Sequence, residues 1–325
     1  MGFNVYVTSV IPEPGIPIVK AACEKIEVYT KDQAHPRKRF LSKIKGRDGV
    51  LCLLTDAIDA EAMDAAKGCK VFANMAVGFN NIDVKEATKR GIIITNTPGV
   101  LTDATADMAW ALIMSTVRRI PESERFLRAG KFHGWRPMMY LGGDLVGRTL
   151  GIVGAGRIGA AVAQRSAGWK MRILYSDINQ NKELEEKLGA KKADLPTLLK
   201  ESDVVTLHTV LDASTRHLIG EKELGMMKKT AYLINTSRGP VVDEAALAKS
   251  LKEKVIAGAG LDVYEEEPKV HNGLLKLENV VLAPHIASAT IATRSKMATM
   301  AANNLVAALR GQRPENIVNP EVLGK

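Results

Sequence analysis

The chain has 325 residues, 46% of them apolar and 25% charged, with a formal net charge of +9. At about 150 residues per domain this is enough for two compact units, and the composition excludes intrinsic disorder, collagen-like repeats and a small disulfide scaffold. The longest uncharged apolar stretch, Met108 to Val117, is about half of what a bilayer crossing needs, so a membrane span is excluded too.

The N-terminal MGFNVYVTS enters a strand pattern directly, without a signal-peptide profile, and Tyr6 breaks the myristoylation pattern. Strands are expected at Val5–Thr8, Ile26–Tyr29, Val50–Leu53, Val71–Ala73 and Ile92–Thr95, with amphipathic helices at Ile18–Lys25, Glu61–Lys67 and Val84–Arg90. This alternation argues for a parallel sheet covered by helices on both sides. Between Lys31 and Arg47 lie seven basic residues and one Asp, which supply +6 of the net charge. Only Phe40 interrupts them and no nucleic-acid motif backs them, so the stretch reads as a solvated helix face. Cys23, Cys52 and Cys69 are odd in number and lack CxxC spacing, as expected for free thiols in a reducing cytoplasm.

Pro98-Gly99 ends the first series. Residues Asp103–Val117 are apolar almost all round, so a helix there must be buried on every side, and a second subunit is the expected cover. A second βα series follows, with strands at Leu150–Val153, Ile173–Tyr175, Val204–Leu207, Tyr232–Asn235, Ala257–Leu261 and Val280–Leu282. Ala289–Leu309 reads as one long helix stopped by Gly311 and Pro314.

The strongest local signal is TLGIVGAGRIGAAVA. An apolar strand runs into Gly154-Ala155-Gly156-Arg157-Ile158-Gly159 and then into a small-residue helix. Gly154 permits the turn, Gly156 lets the backbone approach a pyrophosphate, and Gly159 lets the helix pack on the strand. Asp177 ends the next strand, at a spacing that suits a carboxylate bonding the adenosine ribose. It would repel a 2′-phosphate, so NAD is favoured over NADP. Arg157 either contacts the pyrophosphate or lies over the domain cleft.

Three islands follow at successive strand ends, where open α/β sheets bind ligands. LINTSRGPVVD carries Arg238, GLDVYEEEP carries Asp262 with Glu265, Glu266 and Glu267, and VVLAPHIASAT carries His285. Arginine can grip a 2-oxo acid in two places and histidine can pass a proton. A carboxylate beside that histidine would hold its tautomer and favour its protonated form. The residues alone do not say which of the three glutamates does so. His35, His133, His208, His217 and His271 show no metal-ligand spacing and read as structural or surface residues.

With these islands, MAVGFNNID (75–83) and NTPGVLTDATADMAWALI (96–113), the chain resembles the D-isomer-specific 2-hydroxyacid dehydrogenases nearly end to end. GWRPMMYLGGDLVGRTLGIVGAGRIG and LHTVLDASTRHLI look most like the hydroxypyruvate and glyoxylate reductases. The resemblance implies roles. Arg238 matches the substrate-binding arginine, His285 the acid–base histidine and Glu267 its partner. Ala76, Val77 and Gly78 match the loop whose amides bind the substrate carboxylate. Asp262 matches the residue holding the nicotinamide amide, and Thr105 lies on the helix facing the nicotinamide ring. Thr209, Thr236, Ser237 and Ala287 complete the expected cofactor contacts. Trp135 is implied to reach a neighbouring subunit's site, or else to be a simple interface tryptophan. Two departures are Val210, where many relatives have proline, and Ala287, where glycine is usual.

The expectation is two Rossmann-like α/β domains with parallel sheets. A substrate domain of residues 1–98 plus 288–325 would hold the substrate, and an NAD-binding domain, 99–287, would be inserted into it, with hinges near Pro98 and Ile286 and a closing cleft. The expected activity is NADH-dependent reduction of hydroxypyruvate or glyoxylate in a cytoplasmic homodimer, with no metal, nucleic acid or membrane partner. The alternatives are a D-lactate or phosphoglycerate type of substrate, or an NAD-sensing corepressor-like binding protein.

Overall fold

A computed structural model of the chain describes residues 2–31, 33 and 35–324; Asp32 and Ala34 of the basic stretch lie outside it. The chain divides into two units: residues up to Leu101 together with those from Ser288, and Thr102–Ala287.

The first unit runs β1 (Asn4–Val7), α1 (Gly15–Ala22), β2 (Lys25–Val28), α2 (Arg37–Lys43), β3 (Gly49–Cys52), α3 (Ala60–Ala65), β4 (Val71–Asn74), α4 (Val84–Lys89) and β5 (Ile93–Thr95). Its sheet is parallel throughout, in the order β2-β1-β3-β4-β5. Every residue of β3 and β4 is buried, as parallel strands covered on both faces require. The first helix departs from expectation: it ends at Ala22, and Lys25 opens β2 opposite Asn4. Pro17 sits in its first turn, where a missing N–H is harmless, and the amides of Glu24 and Lys25 are drawn to the Phe3 carbonyl.

Three basic side chains of the stretch are paired, while Lys38, Arg39 and Lys45 are exposed, as on a solvated face. Arg37 donates to the Ala57 carbonyl at 2.6 Å and to Glu61 at 2.8 Å, while Lys43 and Arg47 both pair with Glu27.

The second unit opens with α5 (Thr102–Val117) and α6 (Ile120–Arg128). It continues through β6 (Thr149–Val153), α7 (Arg157–Arg165), β7 (Arg172–Ser176), α8 (Lys182–Leu188), β8 (Lys191–Lys192), α9 (Leu195–Glu201) and β9 (Val204–Leu207). The remainder is α10 (Glu221–Met226), β10 (Tyr232–Asn235), α11 (Glu244–Lys252), β11 (Gly258–Leu261) and β12 (Val280–Leu282). The parallel sheet has the order β12-β11-β10-β9-β6-β7-β8, so the winding reverses between β6 and β9.

Much of the cover of α5 comes from within the chain. Its own unit buries it: Ala106, Trp110, Leu112, Ile113 and Val117 pack into the core of β6, β7 and α7. Gly260 of β11 lets it approach, because a Cβ there would lie 3.0 Å from the Leu112 Cβ. Trp110 stacks on Trp169 at 4.4 Å and donates to the Val162 carbonyl. A narrow polar edge remains, on which Asp103 and Asp107 both pair with Arg165. The exposed apolar surface lies beyond α5, at Ile120, Leu127, Phe132, Trp135, Met138 and Leu141, with Trp135 79% exposed.

The last helix, α12 (Ile291–Leu309), returns to the first unit, where Ala298, Ala302 and Leu305 join Val5, Leu51 and Val71 in its core. No helix among the described residues is long and apolar enough to cross a membrane.

Candidate active site

The reversal between β6 and β9 places the glycine-rich turn where open α/β sheets bind ligands. Gly154 has φ +91°, and a Cβ there would strike the His208 carbonyl carbon at 2.7 Å. A Cβ on Gly159 would lie 2.1 Å from the Gly154 oxygen, so α7 can sit this close only over glycine. Gly156 is the opposite case, facing open space. It precedes α7, whose first amides, from Arg157, Ile158 and Gly159, have no intrahelical acceptor and carry the positive end of the helix dipole. The Arg157 side chain is exposed. The turn itself is pinned from both flanks. The Ala155 amide donates to Asp177 Oδ2 at 2.8 Å, and Asn181 Nδ2 donates to the Ala155 carbonyl at 2.7 Å.

At the end of β9, His208 shares hydrogen bonds with Thr206 (2.9 Å) and Thr236 (3.5 Å), and burial pulls its pKa down to about 3. It is therefore a neutral structural group. The neighbouring Thr209 hydroxyl is buried and has no partner among the described residues.

β10 delivers Arg238 through a turn built by Asn235. Asn235 Oδ1 accepts from the Ser237 amide and hydroxyl, and Nδ2 donates to the Arg238 carbonyl at 3.0 Å. Burial pulls the Arg238 guanidinium below its ordinary pKa, opposed by the charge of Glu267. β11 leads directly into Asp262, whose two carboxylate oxygens accept from the amides of Ile286 (2.7 Å) and Ala287 (2.8 Å). Its backbone carbonyl accepts from the His285 amide. These bonds hold His285 at φ +54°, and its Nδ1 meets Glu267 Oε2 at 2.8 Å. Of the three glutamates, Glu267 is thus the histidine's partner; Glu265 pairs with His217 instead. Thr105 is buried near the start of α5.

In the first unit, residues 76–78 follow β4 with each carbonyl occupied. The Thr97 amide holds Ala76 O at 2.9 Å, Asn96 Nδ2 holds Val77 O at 2.8 Å, and Asn74 Nδ2 holds Gly78 O at 3.0 Å. The Val77 and Gly78 amides meet no acceptor among the described residues, which leaves a pair of donors of the kind an anion requires.

The family model for the D-isomer specific 2-hydroxyacid dehydrogenase NAD binding domain matches residues 110–287. The chain is 55% identical over 323 residues to a glyoxylate reductase of Korarchaeum cryptofilum, covering 98% of this chain and 97% of that protein. The chain belongs to the D-isomer-specific 2-hydroxyacid dehydrogenase family. It superposes on the TT0316 protein of Thermus thermophilus with a TM-score of 0.91 at 41% identity, covering 97% and 99% of the two chains. An NADPH-dependent glyoxylate/hydroxypyruvate reductase from Sinorhizobium meliloti, in complex with NADP and malonate, matches at 0.85 and 33%, covering 99% and 98%.

The dehydrogenase therefore reduces 2-oxo acids with a nicotinamide cofactor, and the second unit fits that group. Open space at Gly156, the first amides of α7 and a Thr209 hydroxyl with no partner among the described residues are what a dinucleotide would need. Sequence reading passed over residues that shape these segments: Asn235, Asn181 and Glu244 in the second unit, and Asn74 and Asn96 in the first. Each buries or half-buries a polar side chain that ties backbone groups. The only trace of them in sequence is an asparagine where an apolar strand ends, at Asn74, Asn96 and Asn235, or a polar residue at a helix start, at Asn181 and Glu244.

Proposed function

We propose that this dehydrogenase reduces glyoxylate and hydroxypyruvate to glycolate and D-glycerate with NADH. The observation that carries the reading is the 2.8 Å pair of His285 Nδ1 and Glu267 Oε2, close enough to Arg238 for its charge to act on Glu267. When bound, the reduced nicotinamide supplies the hydride that adds to the 2-oxo carbon. With Nδ1 committed to Glu267, His285 has Nε2 left to give a proton to the oxygen that becomes the hydroxyl. Arg238 bridges the carboxylate and the keto oxygen as a two-point donor. The Val77 and Gly78 amides take the carboxylate. Glyoxylate is supported by the names of the curated relatives, and hydroxypyruvate by that of the Sinorhizobium meliloti reductase.

NADH is favoured over NADPH because Asp177 places a carboxylate at the end of β7, already bonded to the glycine turn. A homodimer is supported by the apolar surface from Ile120 to Leu141, which a second copy would cover, with Trp135 an interface residue. Three unpaired cysteines support a reducing cytoplasm.

The test is the initial rate of NADH oxidation with glyoxylate, hydroxypyruvate, pyruvate and phosphohydroxypyruvate in parallel. The highest kcat/KM is expected for one of the first two. Faster turnover of pyruvate or the phosphorylated acid would move the substrate assignment, and no turnover would remove the catalytic reading.

A further inference from the structure

The acidic run Glu265–Glu267 does more than offer His285 a partner. The Lys269 amide donates to the Glu266 carbonyl at 2.9 Å, so residues 266–269 form a tight turn that carries Glu267. Both legs of this turn are fastened to one side chain. Glu244, the first residue of α11, is only 6% exposed. Its Oε1 accepts from the Glu265 amide at 2.6 Å and its Oε2 from the His271 amide at 3.1 Å. In return the Glu244 amide donates to Glu265 Oε2 at 3.3 Å, and Glu265 Oε1 is held by His217 Nε2 at 2.5 Å.

Burying a carboxylate is costly unless its oxygens are hydrogen-bonded. No ion pair reaches Glu244 among the described residues, so those two backbone amides satisfy it. They belong to residues six apart that bracket Glu267. An apolar side chain of similar size would fill the same space but leave both legs free to shift.

We infer that Glu244 is a positioning residue of the reaction, acting through Glu267: by clamping both legs of the turn it keeps the Glu267 carboxylate against His285 Nδ1. The inference rests on the proposed role of the Glu267–His285 pair. It predicts that Glu244 matters for the chemical step and matters only while Glu267 is there to be positioned. A group that merely stabilised the unit would cost the same in either background.

The experiment is a double-mutant cycle on the intact enzyme with glyoxylate and NADH. Glu244→Ala should lower kcat by roughly 10- to 100-fold, since misplacement of a catalytic group by about 1 Å costs that much. The Kd for NADH, read by fluorescence, and the KM for glyoxylate should stay within about twofold. In a Glu267→Ala background the same substitution should change kcat by less than about twofold. Glu244→Gln, which keeps one acceptor oxygen, should fall between wild type and Glu244→Ala, and it takes the place of Glu244→Ala in the cycle if that variant does not fold. An equal loss in both backgrounds, or wild-type kcat in a folded Glu244 variant, overturns the inference while leaving the reductase reading intact. Absence of turnover in the wild type removes both.

Discussion

Gly239 lies flat against the Tyr264 carbonyl, so close that a Cβ at residue 239 would fall 1.8 Å from it. The segment carrying Arg238 and the segment leading to Glu267 therefore touch backbone to backbone. Gly239→Ala must push them apart, and no side chain can rotate to relieve the clash. Overpacking costs about 1–3 kcal/mol where neighbours can adjust, and this site belongs at the upper end. Thermal unfolding and kcat/KM should fall together in this variant. Wild-type stability would mean that the two segments are not packed in this way.

His285→Ala should lower kcat by about 10²–10⁴-fold, the usual contribution of a general acid, with NADH still bound. Glu267→Gln should cost less, because an amide can still meet Nδ1 while lacking the charge. Single-turnover hydride transfer at saturating NADH measures both, and near-wild-type rates in a folded His285→Ala protein would refute the assigned proton donor.

Burial pushes the Glu267 carboxyl up, but the hydrogen bond and charge of His285, the Tyr264 amide and Arg238 outweigh it, and its pKa lies below the usual glutamate value. The unfolded chain thus binds this proton at higher pH than the folded one. The pair's stabilisation is complete above the unfolded value, about 4.3, and is lost as pH falls through the folded one. Urea unfolding of wild type and Glu267→Gln between about pH 6 and pH 3 should show their stability gap narrowing toward acid. A gap that widened would contradict the sign of the shift.

Asp177 has two functions that substitution can separate. It accepts from the Ala155 amide, and on the proposed reading its charge would oppose a 2′-phosphate. Asp177→Asn keeps an acceptor for Ala155 while removing the charge, so it should raise the NADPH-to-NADH ratio of kcat/KM with little loss of stability. Asp177→Ala should raise the same ratio but also weaken NADH binding. An unchanged ratio in both variants would dissociate Asp177 from cofactor choice.

Asn96 ties Val77 O to the framework, and Asn304 of α12 in turn donates to the Asn96 carbonyl at 3.2 Å. Asn96→Ala frees that carbonyl and should raise the KM for glyoxylate about 10-fold, leaving the Kd for NADH unchanged. Parallel losses in both quantities would indicate general unfolding instead.

Most of the fold was legible because parallel strands buried on both faces are written as uninterrupted apolar runs. Val204–Leu207, Tyr232–Asn235 and Val280–Leu282 lie where the pattern places them. β8 escaped notice because Lys191 and Lys192 are an exposed edge with nothing apolar to signal it. α6 buries no residue, and its apolar Ile120 and Leu127 stay on the surface, so it lies outside the core that the strand runs outline. Within the site, the glycine turn carries its own signature, and each glycine has a distinct steric reason. The choice of Glu267 among three acids came from family resemblance, and in the structure it is Glu267 that meets His285 Nδ1. The asparagines were invisible for a different reason. Asn96 acts on Val77, 19 residues away, and only the register of β4 beside β5 brings them together.

The carbonyls of residues 76–78 are held one by one, so the Val77 and Gly78 amides are presented by main chain alone. If these amides take the substrate carboxylate, as proposed, side chains at 76 and 77 can drift over evolutionary time without erasing that grip. On that reading, a scaffold of this kind could change which acid it prefers through substitutions elsewhere while staying specific for acids.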